Sequence, residues 1–231
     1  MKKRIELYMA VALLLAAGIL SRKGAVLVQN LKAEERKDCV VIDAGHGGDD
    51  PGKVGVNGAL EKDINLSIAK RVKARLEKEG VKVFLTRDSD KSLHDAGSDN
   101  KKISDMRSRC ALIDEVNPVF TVSIHQNSYT EEYVRGSQCF YFAQSMEGKE
   151  IAEILEKSLR EHLHPENKRE AKANDSYYLL KKTAVPTVIV ECGFLSNRKE
   201  AELLKSEAYQ DKVADAVTEG ILQSLEHLQG K

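Results

Sequence analysis

VVIDAGHGGDDPGKVGVNGALEKD, residues 40–63, is the stretch on which the fold of this chain is decided. It opens inside CVVID (39–43), a short β-branched run of the kind that forms a buried strand. Gly and Pro then cluster between Gly45 and Gly58, which marks a long functional loop. From Glu61 the pattern turns helical. Ile64, Ile68, Val72 and Leu76 make an apolar stripe at a spacing of four, and Gly80 suits a C-cap. Strand, long polar loop and amphipathic helix in this order open an α/β fold.

The same alternation continues outward. VKVFLT (81–86) reads as a strand, residues 88–101 as a polar loop, and about 103–115 as a helix stopped by Asn117-Pro118. VFTVSIH (119–125) is a third strand and SQCFYFA (137–143) a fourth. Residues 147–163 carry Ile151, Ile154, Leu155 and Leu159 on one side of a helix. TVIVE (187–191) is a further strand, and residues 198–229 close the chain with one or two helices. The expected fold is α/β: a single domain over residues 38–231, with a twisted, mostly parallel sheet flanked by helices on both faces.

Bulk properties agree with one exported domain. The chain has 231 residues, with Lys+Arg and Asp+Glu both at 36, so the formal net charge is zero and no basic footprint for nucleic acid exists. Lys2, Lys3 and Arg4 precede an uncharged apolar run from Leu7 to Leu20. That run is short of the roughly 20 residues a spanning helix needs and fits the apolar region of a secretory signal. Residues 1–23 therefore read as a signal peptide or an N-terminal membrane anchor, and 24–37 as a Lys- and Glu-rich linker. The catalytic domain is expected outside the cytoplasm, touching a membrane only through that segment. Cys39, Cys110, Cys139 and Cys192 lie singly in apolar runs, without a CxxC pair, and read as small buried hydrophobes. Cys192, next to Glu191, stands out as a candidate reactive thiol.

In open α/β sheets, ligands bind beyond the carboxyl ends of the strands. His46 follows CVVID by three residues, His125 ends VFTVSIH and Glu191 ends TVIVE. Singly each has a bland reading. A histidine in a glycine turn is often structural, Glu61 opens a helix whose dipole favours acids, and His125 resembles a hydrogen-bonded strand end. Glu191 is harder to set aside, because an unpaired charge closing an apolar strand is costly. Together, two imidazoles and a carboxylate are the ligand set of a catalytic zinc site with one position open. A second glutamate then serves as general base for the attacking water, which predicts hydrolysis of an amide or ester with no organic cofactor.

D-x-GHGG-x-D-x-G, LEKD, the TR of FLTRD, SIH-x-N and E-x-GFLSN occur in this order over residues 39–229. In this the chain resembles the zinc-dependent N-acetylmuramoyl-L-alanine amidases of bacterial cell walls, amidase type 3. The resemblance implies Zn2+ held by His46, Glu61 and His125, and Glu191 as the catalytic glutamate. It implies cleavage of the amide between muramic acid and the L-alanine of the stem peptide in peptidoglycan. Arg87 and Asn127 match recurring family residues that support the site. Asp43 is placed to brace the first ligand as acceptor for its other ring N–H. Arg109, or the nearby Arg107, matches the helix arginine of the family. Gln126 within SIH-x-N and Cys192 after the catalytic glutamate depart from the pattern without touching a ligand position.

Within the family, the chain has no wall-binding repeat. The span from His125 to Glu191, already filled by a strand, a helix and YYLLKKTAVP, leaves little room for an inserted autoinhibitory helix. These features and the tracts 167–197 and 207–222 look most like the germination-specific amidase of spore formers. That likeness implies spore-cortex maturation through muramic-δ-lactam, and an activating lipoprotein as partner. A general vegetative autolysin is the nearest alternative. A zinc carboxypeptidase or aminopeptidase, and a wall-binding protein with a dead site, are the other classes. Selectivity is expected in the loops 88–101 and 126–136, where Tyr129, Tyr133 and Arg135 read as ordinary loop residues ahead of groove residues. His94, His162, His164 and His227 match no motif and read as surface residues.

Overall fold

A computed structural model describes residues 37–231. The signal or anchor segment and the linker before Lys37 lie outside the described residues. Six strands and six helices follow in chain order: β1 Lys37–Ala44, α1 Glu61–Lys78, β2 Val83–Leu85, α2 Lys101–Val116, β3 Pro118–Asn127, β4 Gln138–Tyr141, α3 Met146–Leu163, β5 Lys172–Ala173, α4 Tyr178–Lys182, β6 Thr187–Phe194, α5 Arg198–Lys205 and α6 Glu207–Gln229. They form one sheet in the order β2-β1-β3-β6-β4-β5. The pairs β1–β2, β1–β3, β3–β6 and β4–β5 are parallel, and β4–β6 is antiparallel. The mostly parallel α/β sheet read from the sequence is the observed one. The two-residue β5 and five-residue α4 carry too little periodicity to be read in advance.

Side-chain alternation sorts the sheet into two faces. Val40, Ile42 and Ala44 of β1, Phe120, Val122 and Ile124 of β3, and Val188, Val190 and Cys192 of β6 enter one large core. The stripe Ile64, Ile68, Val72 and Leu76 covers that core, together with Ile151, Leu155 and Leu159 of α3 and Val213, Val217 and Ile221 of α6. Each fully buried Ile or Leu there contributes about 1.5–3 kcal/mol. On the opposite face, Val41 packs with Cys110 and Ile113 of α2 and with Leu179 and Val185, while Ile189 packs with Phe140 and Leu180.

The second face also carries polar side chains. Asp43 pairs in register with Ser123, and His125 with Glu191. Odd-numbered residues of three adjacent strands thus turn their functional groups toward α2 and α4. Asn117, in the left-handed conformation, ends α2 directly before Pro118, as the Asn-Pro pair predicts. No helix among the described residues is long and apolar enough to cross a membrane.

Candidate active site

The loop after β1 is shaped by close approach to the neighbouring strand. A Cβ at Gly45 would lie 2.3 Å from the His125 ring, so only glycine lets that imidazole cross the end of β1. His46 follows with φ 62°, an uncommon conformation for a non-glycine residue. Two buried guanidinium groups hold the strained turn. Arg109 Nη2 donates to the His46 carbonyl at 2.6 Å, and its Nη1 to the Ala44 carbonyl at 2.8 Å and Asp43 Oδ1 at 2.6 Å. Arg87 donates to the carbonyls of Ala44, Gly45 and Lys62 at 2.9, 3.0 and 2.7 Å. Arg109, not the exposed Arg107, is therefore the helix arginine of the site.

Glu61, at the first position of α1, meets both histidines. Its Oε1 lies 2.9 Å from His125 Nδ1 and 3.2 Å from His46 Nε2. Oε2 accepts from the Lys53 amide at 2.7 Å, and Oε1 also accepts from the Gln126 amide at 3.1 Å. Burial opposes ionisation of this carboxyl, yet hydrogen bonds and charge from His125 and His46 hold it far below the ordinary range. Donor atoms of His46, Glu61 and His125 all fall within 4.8 Å of one another. Two imidazole nitrogens and a carboxylate oxygen at such separations could hold a divalent metal ion of the zinc type.

Glu191 stands beside this cluster, paired in register with His125 and 7% exposed. Its Oε2 is buried without a hydrogen-bond partner among the described residues. Burial, opposed by His125 and reinforced by the Glu61 charge, pushes the carboxyl up to about 7. A carboxylate with a free oxygen and this proton affinity is equipped for proton transfer near neutrality.

The supporting residues need one correction. Asp43 does not touch the His46 ring. Its oxygens accept from Thr86 at 2.7 Å, Arg109 at 2.6 Å and Ser123 at 2.5 Å, because its place on β1 points it at α2. The partner of His46 Nδ1 is Asp50, at 2.8 Å, which the sequence reading passed over although it is the acid of GHGG-x-D. Gly52, with φ 65°, keeps this corner open: a Cβ there would lie 2.6 Å from Glu61 Oε2 and 2.7 Å from His46 Cδ2. Asn127 shapes the turn after β3, its carbonyl accepting from Leu195 and its side chain from Ser128.

Two further expectations change. His164 is half-buried and not a free surface side chain; its Nε2 contacts the Tyr209 hydroxyl at 2.7 Å and lies 3.5 Å from Glu200. Cys192 is no reactive thiol, since full burial among apolar side chains raises its pKa well above the ordinary value.

A cavity of about 300 Å³ opens beside the cluster. Lys102 and Met106 of α2 line it with Tyr177, Tyr178 and Leu179, and Ile189 lies on the sheet side. No lining residue comes from 88–101 or 126–136, the loops expected to set selectivity. Tyr129 and Tyr133 are exposed elsewhere. Nothing in the spacing of the chain marks Lys102 or Tyr177; α2 and α4 bring them to the site.

Residues 40–223 match the family model of N-acetylmuramoyl-L-alanine amidase. The chain belongs to this family. A germination-specific N-acetylmuramoyl-L-alanine amidase of Bacillus subtilis (strain 168) is 37% identical over 187 residues, covering 80% of this chain and 78% of the relative. Among solved structures, the CwlD amidase of Clostridioides difficile in complex with the GerS lipoprotein is 37% identical with a TM-score of 0.79, covering 82% of this chain and 99% of that one. AmiC2 of Nostoc punctiforme is 34% identical with a TM-score of 0.71, covering 83% and 99%. The protein is a hydrolase, an amidase acting on peptidoglycan, and the site described above lies within the matched residues.

Proposed function

We propose that this amidase is zinc-dependent, with His46, Glu61 and His125 as ligands and Glu191 as general base and acid. The observation that carries the proposal is the unpartnered Glu191 Oε2, buried beside three converging ligand atoms. Zinc, when bound, supplies Lewis acidity toward the scissile carbonyl and makes water easier to deprotonate. Asp50 accepts a hydrogen bond from Nδ1–H of His46, which fixes the tautomer and would leave Nε2 as the coordinating nitrogen. Glu191 Oε2 accepts a proton from the attacking water and delivers it to the leaving amine. The lactyl C–N bond breaks, giving a muramic lactyl carboxylate and a peptide with a free L-alanine amine. Burial, which raises this carboxyl above the ordinary carboxylate range, favours its taking up that proton.

Similarity to the germination-specific relative and to CwlD supports a role in spore-cortex maturation, where a bare lactyl carboxylate is the precursor of muramic-δ-lactam. The CwlD complex supports an activating lipoprotein as partner, and the apolar segment behind the basic N-terminus supports action outside the cytoplasm.

The test is a digest of cortex and vegetative peptidoglycan by zinc-loaded protein, read by mass spectrometry, with and without extract of sporulating cells. Stem peptides beginning with L-alanine, released preferentially from cortex, are the expected products. Equal cleavage of both walls would make the protein a general autolysin, and trimmed peptides would make it a peptidase. Dependence on the sporulating extract would reveal the activator.

A further inference from the structure

We propose that the cavity between α2 and the start of α4 receives the stem peptide, and that Lys102 reads a carboxylate on it. This rests on the amidase reading of the site.

The charges around the cavity support the assignment. Arg109 binds both Asp43 and, through Nε, Asp105 at 2.6 Å, so its one positive charge is used up by two carboxylates of the protein and none is left for a ligand. Asp50 is engaged by His46. Lys101, the neighbour of Lys102, pairs with Asp49 at 2.7 Å and is not part of the lining. Lys102 lines the cavity, is exposed, and has no hydrogen-bond or ion-pair partner among the described residues. Of the cations lining the cavity, it alone is free to meet a ligand.

Substrate chemistry says which half of the molecule brings the anion. In the intact substrate, the lactyl carboxyl is tied up in the scissile amide, and N-acetylated sugars are neutral. The remaining carboxylates are all on the peptide. Met106, Tyr177, Leu179 and Ile189 give the cavity apolar walls, which suit alanine methyls better than a hydroxyl-dense glycan. A lysine on a flexible stem acts there as a point charge that follows a carboxylate without fixing its orientation.

A competing role exists for the same residue. The field of Lys102 reaches Asp50 and helps keep that carboxyl ionised. If this were its whole function, losing the lysine would slow every substrate alike.

The experiment compares N-acetylmuramoyl tripeptides whose second residue is glutamate linked through its γ-carboxyl, with the α-carboxyl either free or amidated. Zinc-loaded wild type should show a KM about three- to tenfold lower for the free acid. Lys102→Ala should erase that difference with little change in kcat, while Lys102→Arg and the control Lys101→Ala should keep it. Equal KM values in the wild type, or a preference that survives Lys102→Ala, would overturn the proposal. Calorimetric binding of the two free product peptides separates this from the amidase reading. Cleavage of neither substrate would sink that reading, while selective binding of the acid peptide by wild type and not by Lys102→Ala would still uphold Lys102. Indifference of binding to both the charge and the variant would end the proposal.

Discussion

The two sides of the ligand cluster are built on opposite principles. On the β1 side the polar groups behind the ligands are answered: Asp43 by Thr86, Ser123 and Arg109, the turn carbonyls by Arg87 and Arg109, and the His46 ring by Asp50. On the β6 side, Glu191 keeps one buried oxygen with no partner. Two buried acids on neighbouring parts of one sheet therefore diverge. Burial works against both, but Arg109 and the hydroxyls bring Asp43 down to about 2, while Glu191 rises to about 7. The contrast separates groups that hold the site from the group that reacts. A saturated network gives rigidity, and an unsatisfied carboxyl retains its capacity to take a proton.

The largest effect should come from the unsatisfied side. Glu191→Gln keeps the shape and removes the proton acceptor, so turnover should fall about 10²–10⁴-fold. Zinc content, measured by elemental mass spectrometry on the same sample, should stay at the wild-type level. Near-normal turnover would remove the distinction between the two sides.

Next comes a break on the saturated side. Arg109→Ala leaves Asp43 buried without its countercharge, which costs about 3–5 kcal/mol in denaturant unfolding. The sign of the pH dependence follows from Asp43. Its pKa in the fold, about 2, lies below the ordinary 3.8, so its contribution is fully present above 3.8 and is lost as pH falls toward 2. Without Arg109, burial raises that pKa, and the folded state is penalised most at neutral pH. The gap between variant and wild type should therefore narrow as pH falls through that raised pKa and on toward 2, as protonation removes the buried charge. A gap independent of pH would assign the loss to packing alone.

How much of this was legible in the sequence depended on scale. Short runs rich in β-branched residues and stripes spaced by four announced the sheet, its main helices and the strand ends carrying His46, His125 and Glu191. The face that each strand residue takes follows from alternation, but its partner across the layer does not. That is why Asp43 was expected at His46 and is found at Arg109. Lys102, Met106 and Tyr177 are further removed still. They meet only because α2 and the short α4 pack on the same face of the sheet, an arrangement without any local signature. Asp50 was the avoidable omission, since an acid four residues beyond a glycine-flanked histidine, across a turn, is within reach of its ring.

The smallest predicted effect tests that exchange of roles. Asp50 Oδ2 lies 2.8 Å from His46 Nδ1 as its hydrogen-bond acceptor, and Oδ1 accepts from the Gly52 amide at 3.1 Å, so the acid ties the ring to the loop that carries it. Partners of this kind set ligand orientation and basicity, and losing one typically lowers metal affinity about 10–100-fold. Asp50→Ala should show that loss in a chelator competition, with a modest fall in unfolding stability because Asp50 is only half-buried. Asp43→Asn should behave the other way, losing stability through the Arg109 network while zinc affinity changes little. If Asp43→Asn weakens zinc as much as Asp50→Ala does, the network behind β1 and the ring's own partner act as one unit. Rigidity of the saturated side would then count for as much as the hydrogen bond on the ligand itself.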